Sequence, residues 1–348
     1  MPSKNLVKKI QENIFRHRLF PRGAKIVVGV SGGPDSVCLL DIFYKLKKKY
    51  DLEIIVAHVN YGLRGKASKK DEALVKKMAE KYSLPLEEIR ITNYKLQITE
   101  DYLRNLRYDF FEKIREKYSA DVIAVGHNLN DQAETVLLRI LRGTGLRGLG
   151  AIKFSARSGP TPSHATGQAA QPKKNACLPA RQADGPLVIR PLLNIPRKDI
   201  LAHLRKNKLP FRTDKTNLGT DFTRNKIRNK LLPYLEKNFN PNIQEILYKL
   251  SQSAADDYDF INKYSAEWLK SNRSLCVSKL TRLHPAIQRE VIRLAIEKHI
   301  PNLREIEAGH MNEISKVMKS GKNKKQILKF KGLKIERKGD RLVISKKI

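Results

Sequence analysis

The residues best suited to chemistry sit where an apolar run ends. In VVGVSGGPDSVCLLDIF a strand-like stretch passes into Ser31-Gly32-Gly33-Pro34-Asp35-Ser36, and a helical pattern follows. Two glycines let a backbone approach an anion without interference from Cβ. Pro34 has the φ angle of a first helical position. The helix start then offers unpaired N–H groups and the positive end of a dipole, which suits phosphate. Ser31 and Ser36 add hydroxyl donors. No Gly-Lys-Ser/Thr follows, so this is not a Walker A loop. A tight strand-to-helix turn using the same residues is the plain alternative.

Further polar residues cluster after other apolar runs. His58-Val59-Asn60-Tyr61-Gly62-Leu63-Arg64-Gly65 follows one of them. Gly126-His127-Asn128-Leu129-Asn130-Asp131-Gln132-Ala133-Glu134-Thr135 follows another, and Arg104-Asn105-Leu106-Arg107-Tyr108 lies in a helical stretch between the two. Asp131-x-x-Glu134 also reads as an N-cap with an acid at N3. His127 equally suits a satisfied core histidine, and Arg107 a surface ion pair. Gly143-x-Gly145-x-x-Gly148 has the letters of a dinucleotide fingerprint. It follows a helix instead of a first strand, so it reads as a loop, with Arg142 and Arg147 beside it.

Taken together, these segments resemble a known family. Ser-Gly-Gly-Pro-Asp-Ser is similar to the PP-loop of the N-type ATP pyrophosphatases. The other segments, with Arg142 to Leu149, IRPLL at 189–193 and TRNKIRNKLLP at 223–233, resemble the signature set of the tRNA(Ile)-lysidine synthetases. The resemblance implies that Ser31, Gly32, Gly33, Pro34, Asp35 and Ser36 hold ATP and that Asp35 places Mg²⁺. It assigns target-base recognition and catalysis to Arg107, His127, Asp131 and Glu134. Carboxylates suit cytosine, whose exocyclic amine is a donor, and an arginine can stabilise charge developing on an attacked oxygen or phosphate. The implied reaction joins L-lysine to C2 of the wobble cytidine of tRNA(Ile) with a CAU anticodon, through an adenylated cytidine, releasing AMP and diphosphate. Tyr61 stands where the family often has His, and Tyr102-Leu103 where small residues are usual.

These groups need a scaffold that brings loop ends together. Strand-like runs at 24–30, 52–59, 86–92 and 121–127 alternate with helical patterns near 35–49, 68–82, 98–118 and 131–141. That rhythm predicts a parallel sheet with helices on both faces, a Rossmann-like PP-loop domain whose strand ends form the ligand crevice. Residues 155–187, rich in Pro, Gly, Ser, Ala and Gln, read as a flexible insertion. Pro196 is expected at the first position of the helix RKDILAHLRK. Beyond 235 come helices near 241–270, 284–299 and 303–319, then a β hairpin turning at Gly339-Asp340. The expected domains are therefore 1–235 and a smaller, mainly helical one, 236–348, which by resemblance binds tRNA.

Charge points the same way. Lys plus Arg number 69 against 35 Asp plus Glu, a net +34 over 348 residues, which favours a polyanionic partner. Arg64, Arg224, Lys226 and Arg228 are the candidate RNA-backbone contacts. No run approaches the about 18 apolar residues of a membrane span. The basic N-terminus lacks the apolar core of a secretory signal. Cys38, Cys177 and Cys276 stand far apart without a Cys-x-x-Cys pair, which argues for the cytoplasm. A homodimer is left open. Two rivals remain: a tRNA thiolase, disfavoured by the missing cysteine pair, and a non-catalytic RNA-binding protein with a degenerate loop.

Overall fold

A computed structural model describes residues 6–63, 65–91, 99–157, 187–212, 223–272, 274–300, 308–320 and 326–346. By its internal contacts the chain parts into Met1–Ser251 and Gln252–Ile348. The division falls inside the helix Ile243–Ser271, later than the expected 235/236.

In the first unit the apolar runs pair into one sheet. Its strands are β1 (Lys25–Gly29), β2 (Glu53–Asn60), β3 (Leu86–Arg90), β4 (Val122–Ala124), β5 (Ser155–Arg157) and β6 (Leu187–Ile189), in the order β3-β2-β1-β4-β6-β5. All neighbours are parallel except β5, which runs antiparallel to β6. Val27 and Val28 of β1, Ile54 and Val56 of β2 and Ile123 of β4 are buried because both faces are covered. Ile26, Val28, Val56 and Ala124 pack with helices α1 (Leu6–Arg16), α2 (Pro34–Tyr50) and α7 (Arg197–Lys206). Val27, Ile55 and Ile123 meet Phe111 and Ile114 of α4 (Glu100–Lys117) on the other face. Helix α3 is Lys66–Lys81, and α5 is Leu129–Leu141.

Strand order reverses at β1, which pairs with β2 on one side and β4 on the other. In an open parallel sheet the carboxyl ends at such a reversal form the binding crevice.

Three expectations need correction. The insertion is shorter at both ends than 155–187, because residues 155–157 and 187–189 pair as strands; residues 158–186 lie outside the described residues. Pro196 is the N-cap of α7, one position before the first helical residue. The cap of α5 is Asn128 with Asp131 at N3, a full capping box, not Asp131 with Glu134.

After α6 (Leu146–Leu149) and α7 comes α8 (Thr223–Lys226), which continues through a π-turn over Ile227–Leu231 into α9 (Leu232–Asn238), and α10 (Ile243–Ser271) follows. The glycine-spaced loop thus leads into one helical turn, with no strand before it.

The second unit packs α11 (Val277–Thr281), α12 (Pro285–Glu297) and α13 (Ala308–Lys319) on a four-stranded antiparallel sheet. The expected hairpin is β9 (Leu333–Lys338) and β10 (Arg341–Lys346), with Gly339 at φ 58° in its turn. Strands β8 (Gln326–Phe330) and β7 (Leu275–Cys276) extend it on either side. Leu333, Ile335, Leu342 and Ile344 alternate inward against Val291, Ile296 and Ile314. Among the described residues no helix is long and apolar enough to cross a membrane.

Candidate active site

The loop after β1 is tied into shape by its own side chains. Gly32 sits at φ +82°, where any side chain would be strained. The Ser36 hydroxyl donates to the Gly33 carbonyl (3.0 Å) and accepts from the Ser31 amide (3.1 Å). Ser31 Oγ lies 3.2 Å from Ser36 Oγ and accepts from the Gly33 amide. From outside the loop, the Arg212 amide donates to the Gly32 carbonyl at 3.0 Å. Pro34 occupies the first position of α2, as expected, and no side chain caps this helix. Its first amides are therefore free to meet an anion. Gly126, at the end of β4, runs close alongside: a Cβ there would come within 3.0 Å of the Asp35 backbone.

The loop forms one wall of a cavity of about 200 Å³ at the carboxyl ends of β1, β2 and β4. Ser31, Gly33, Asp35 and Ser36 line it together with Tyr61, Arg107 and His127. Segments distant in sequence therefore converge here. Both departures from the family pattern meet at its edge, where the Tyr61 hydroxyl donates to the Leu103 carbonyl at 3.3 Å.

Positive charge gathers around His127. Burial, then the charges of Arg190, Arg107, Arg224 and Arg104, hold the His127 imidazole well below its ordinary pKa. Its Nδ1 is buried and has no hydrogen-bond partner. The same surroundings oppose protonation, so the free nitrogen suits a hydrogen bond to a ligand. Arg104 and Arg107 stack over the Tyr108 ring at 5.4 and 5.5 Å. Arg190 is 6% exposed. Its guanidinium donates to the Lys153 carbonyl at 3.0 Å, while its Nε has no partner. Burial lowers its pKa. None of these three arginines has an acidic partner among the described residues.

Asp35 faces the opposite conditions. Its pKa is raised to about 6, first by burial and then by the charge of Asp131; Arg197, a hydrogen bond from Asn128 and Arg228 pull it down. The Asn128 amide donates to Asp35 Oδ1 at 2.9 Å, and Arg197 lies 3.7 Å from Oδ2. A carboxylate pushed up by a second carboxylate is a fitting partner for a divalent cation.

Asp131 and Glu134 do not line the cavity. They form an ion-pair knot with two of the candidate RNA-contact arginines. Arg224 lies 3.0 Å from Glu134 and 3.5 Å from Asp131. Arg228 binds both Glu134 oxygens and reaches Asp131 at 3.1 Å. Glu134 is 1% exposed, so this charge is buried only because it is paired. Lys226 is exposed on the same helix. Arg64 lies outside the described residues.

Several functional neighbours escaped sequence reasoning. Asn128 was legible in principle, since Asn-x-x-Asp before an apolar run is a cap pattern. Arg190 hides in the apolar run VIRPLL. Arg197 reaches Asp35 across 162 positions, and no local signal announces that.

Comparison with known proteins follows this geometry. Residues 2–235 match the PP-loop domain family, and residues 275–343 match the TilS substrate binding domain. The chain is 33% identical over 350 residues to a tRNA(Ile)-lysidine synthase of Clostridioides difficile (strain 630), covering 97% of this chain and 70% of the relative. It is 35% identical over 320 residues to a tRNA(Ile)-lysidine synthase of Clostridium acetobutylicum, covering 89% and 63%. It thus spans about two thirds of the length of these relatives. Among solved structures, the U34-tRNA thiolase NcsA from Methanococcus maripaludis is similar in fold, with a TM-score of 0.54 at 17% identity, covering 71% of this chain and 76% of that one.

Proposed function

Since this chain belongs to the tRNA(Ile)-lysidine synthase family of PP-loop enzymes, we propose that it uses ATP to join L-lysine to C2 of the wobble cytidine in tRNA(Ile) with a CAU anticodon. One observation carries the reading: a single cavity at the strand-order reversal joins the phosphate loop to Arg107 and His127.

The reaction divides into two balanced steps. The cytidine O2 attacks the α-phosphorus of ATP, and diphosphate leaves from the α–β bond. The lysine ε-amine then attacks C2, and AMP departs with the former O2. The loop amides and the Ser31 and Ser36 hydroxyls suit the phosphates. Arg107 suits the charge that builds on the attacked oxygen or phosphate. An attacking amine must shed a proton; His127, kept neutral by its surroundings, suits a hydrogen bond to the base or phosphate and not the uptake of that proton. Asp35, with Asp131 close enough to raise its pKa, would hold Mg²⁺. That ion supplies neutralisation of phosphate charge.

Arg224 and Arg228 would set Asp131 and Glu134 in place, with Lys226 and Arg64 left for the RNA backbone. The second unit would contribute to tRNA binding. The cytoplasm fits three cysteines that stand far apart without a Cys-x-x-Cys pair.

The direct test incubates the protein with tRNA(Ile), ATP and labelled lysine, then digests the RNA to nucleosides. Lysine is expected in a modified cytidine, with one AMP and one diphosphate released for each. An active preparation that leaves cytidine unmodified would sink the reading. Label from a sulfur donor in the nucleoside would replace it with the thiolase.

A further inference from the structure

The helix that carries Arg224 and Arg228 has another side. Tyr234 is 57% exposed and Phe239, just past the end of α9, is 70% exposed. Their ring centroids lie 5.8 Å apart with the planes inclined at 59°. Neither belongs to any of the buried apolar clusters. Two adjacent aromatic rings left in water expose apolar area that a partner would cover. Lys226, Lys230 and Lys237 are exposed on the same helix, and none has an acidic partner among the described residues. Glu236, beside Lys237 in the sequence, accepts instead from Gln244 at 2.5 Å.

We propose that Tyr234 and Phe239 form a stacking platform for unpaired bases of the RNA substrate, beside the nucleotide that is modified. Aromatic rings flanked by unpaired cations match single-stranded nucleic acid in both respects. Every base has a face that stacks on an aromatic ring, and the backbone between bases carries the charge that the lysines meet. Duplex RNA would satisfy the lysines but leave the rings bare, because its bases are already stacked. An apolar protein partner would satisfy the rings but not the lysines.

Position supports the same occupant. Arg228 is bonded to Glu134, and Tyr234 follows it by six residues, a rise of about 9 Å along a helix. At about 3.4 Å per stacked nucleotide, that is roughly two to three steps along the strand. The platform therefore serves bases next to the target and not a distant part of the RNA. This assignment rests on the RNA-modifying reading above for the choice of RNA and for Glu134 as a contact of the target base.

The experiment uses the full chain and an RNA hairpin with 2-aminopurine in its loop, next to the target cytidine. Binding is expected to quench the fluorescence. Tyr234→Ala with Phe239→Ala should abolish the quench and weaken binding roughly tenfold to a hundredfold. Tyr234→Phe should keep both, since the ring matters and the hydroxyl does not. Lys230→Ala should weaken binding and lower its salt dependence while leaving the quench of the bound RNA intact. ATP affinity and thermal melting should be unchanged in every variant, because the substituted side chains are exposed. Unaltered quench and affinity in the double variant would overturn the proposal. So would wild-type self-association that the double variant abolishes, since the rings would then cover a second copy. No lysine is needed for this readout. A wild-type protein that stacks the RNA but ligates nothing would refute the proposed reaction and leave the platform standing.

Discussion

Asp35 is a carboxylate placed where ionisation is opposed. Its pKa of about 6 in the folded chain compares with 3.8 as the ordinary value. Below the lower figure it is protonated whether folded or not, so no penalty arises. As pH rises through the window between the two, the unfolded chain ionises first and the fold loses stability. Above about 6 the penalty is complete. Asp35→Asn should therefore raise the melting temperature at pH 7, by on the order of 2 kcal/mol of stability, with the gain vanishing toward pH 4. It should abolish turnover while leaving tRNA affinity nearly unchanged. Thermal melts across this pH range check the first part, and a variant no more stable than wild type at pH 7 would refute it. The strand-to-helix turn around Asp35, with Pro34 at the first helical position, was legible because its geometry lies in consecutive residues. Asp131 and Glu134 were legible as candidates, but their pairing with Arg224 and Arg228 was not. It joins residues about ninety positions apart.

Among the elements, α5 depends on one side chain in two ways. Asn128 accepts from the Asp131 amide at 3.1 Å and donates to Asp35 at 2.9 Å. Losing an N-cap costs roughly 1 kcal/mol. Asn128→Ala should therefore lower stability by about that amount. It should lower kcat for lysine addition more than tenfold, since Asp35 loses its only side-chain amide donor among the described residues. Denaturation and steady-state kinetics on the same variant separate the two effects. Activity falling no further than stability explains would mean that Asn128 only caps. Strands β1 to β4 were visible as apolar runs separated by amphipathic helices. Strands β5 and β6 were not. Each has three residues, and β6 leads at once into a buried arginine that breaks the apolar pattern. The β9–β10 hairpin was visible because a Gly-Asp turn separates two alternating runs. The pairing of β7 with β10 is long-range and left no local trace.

For the whole molecule, a net charge of +34 makes association with RNA an exchange of bound counterions. Affinity for tRNA should fall steeply between 50 and 200 mM salt, by roughly a hundredfold or more. Lys226→Ala should reduce the log–log slope by about 1. Filter binding across a salt series measures both, and a flat dependence would mean that the charge plays no part in binding. The continuous helix from Thr223 to Asn238 links this outer chemistry to the inner one. Its π-turn over Ile227–Leu231 contains one residue more than an α-turn. Rewinding the same residues as ordinary α-helix, with none removed, would rotate Tyr234 by about 100° relative to Arg224. The surplus residue thus acts as a phase setting between two ends of one shaft. A chain that rewound this turn could fold and still point Tyr234 away from its present bearing on the arginines that hold Asp131 and Glu134.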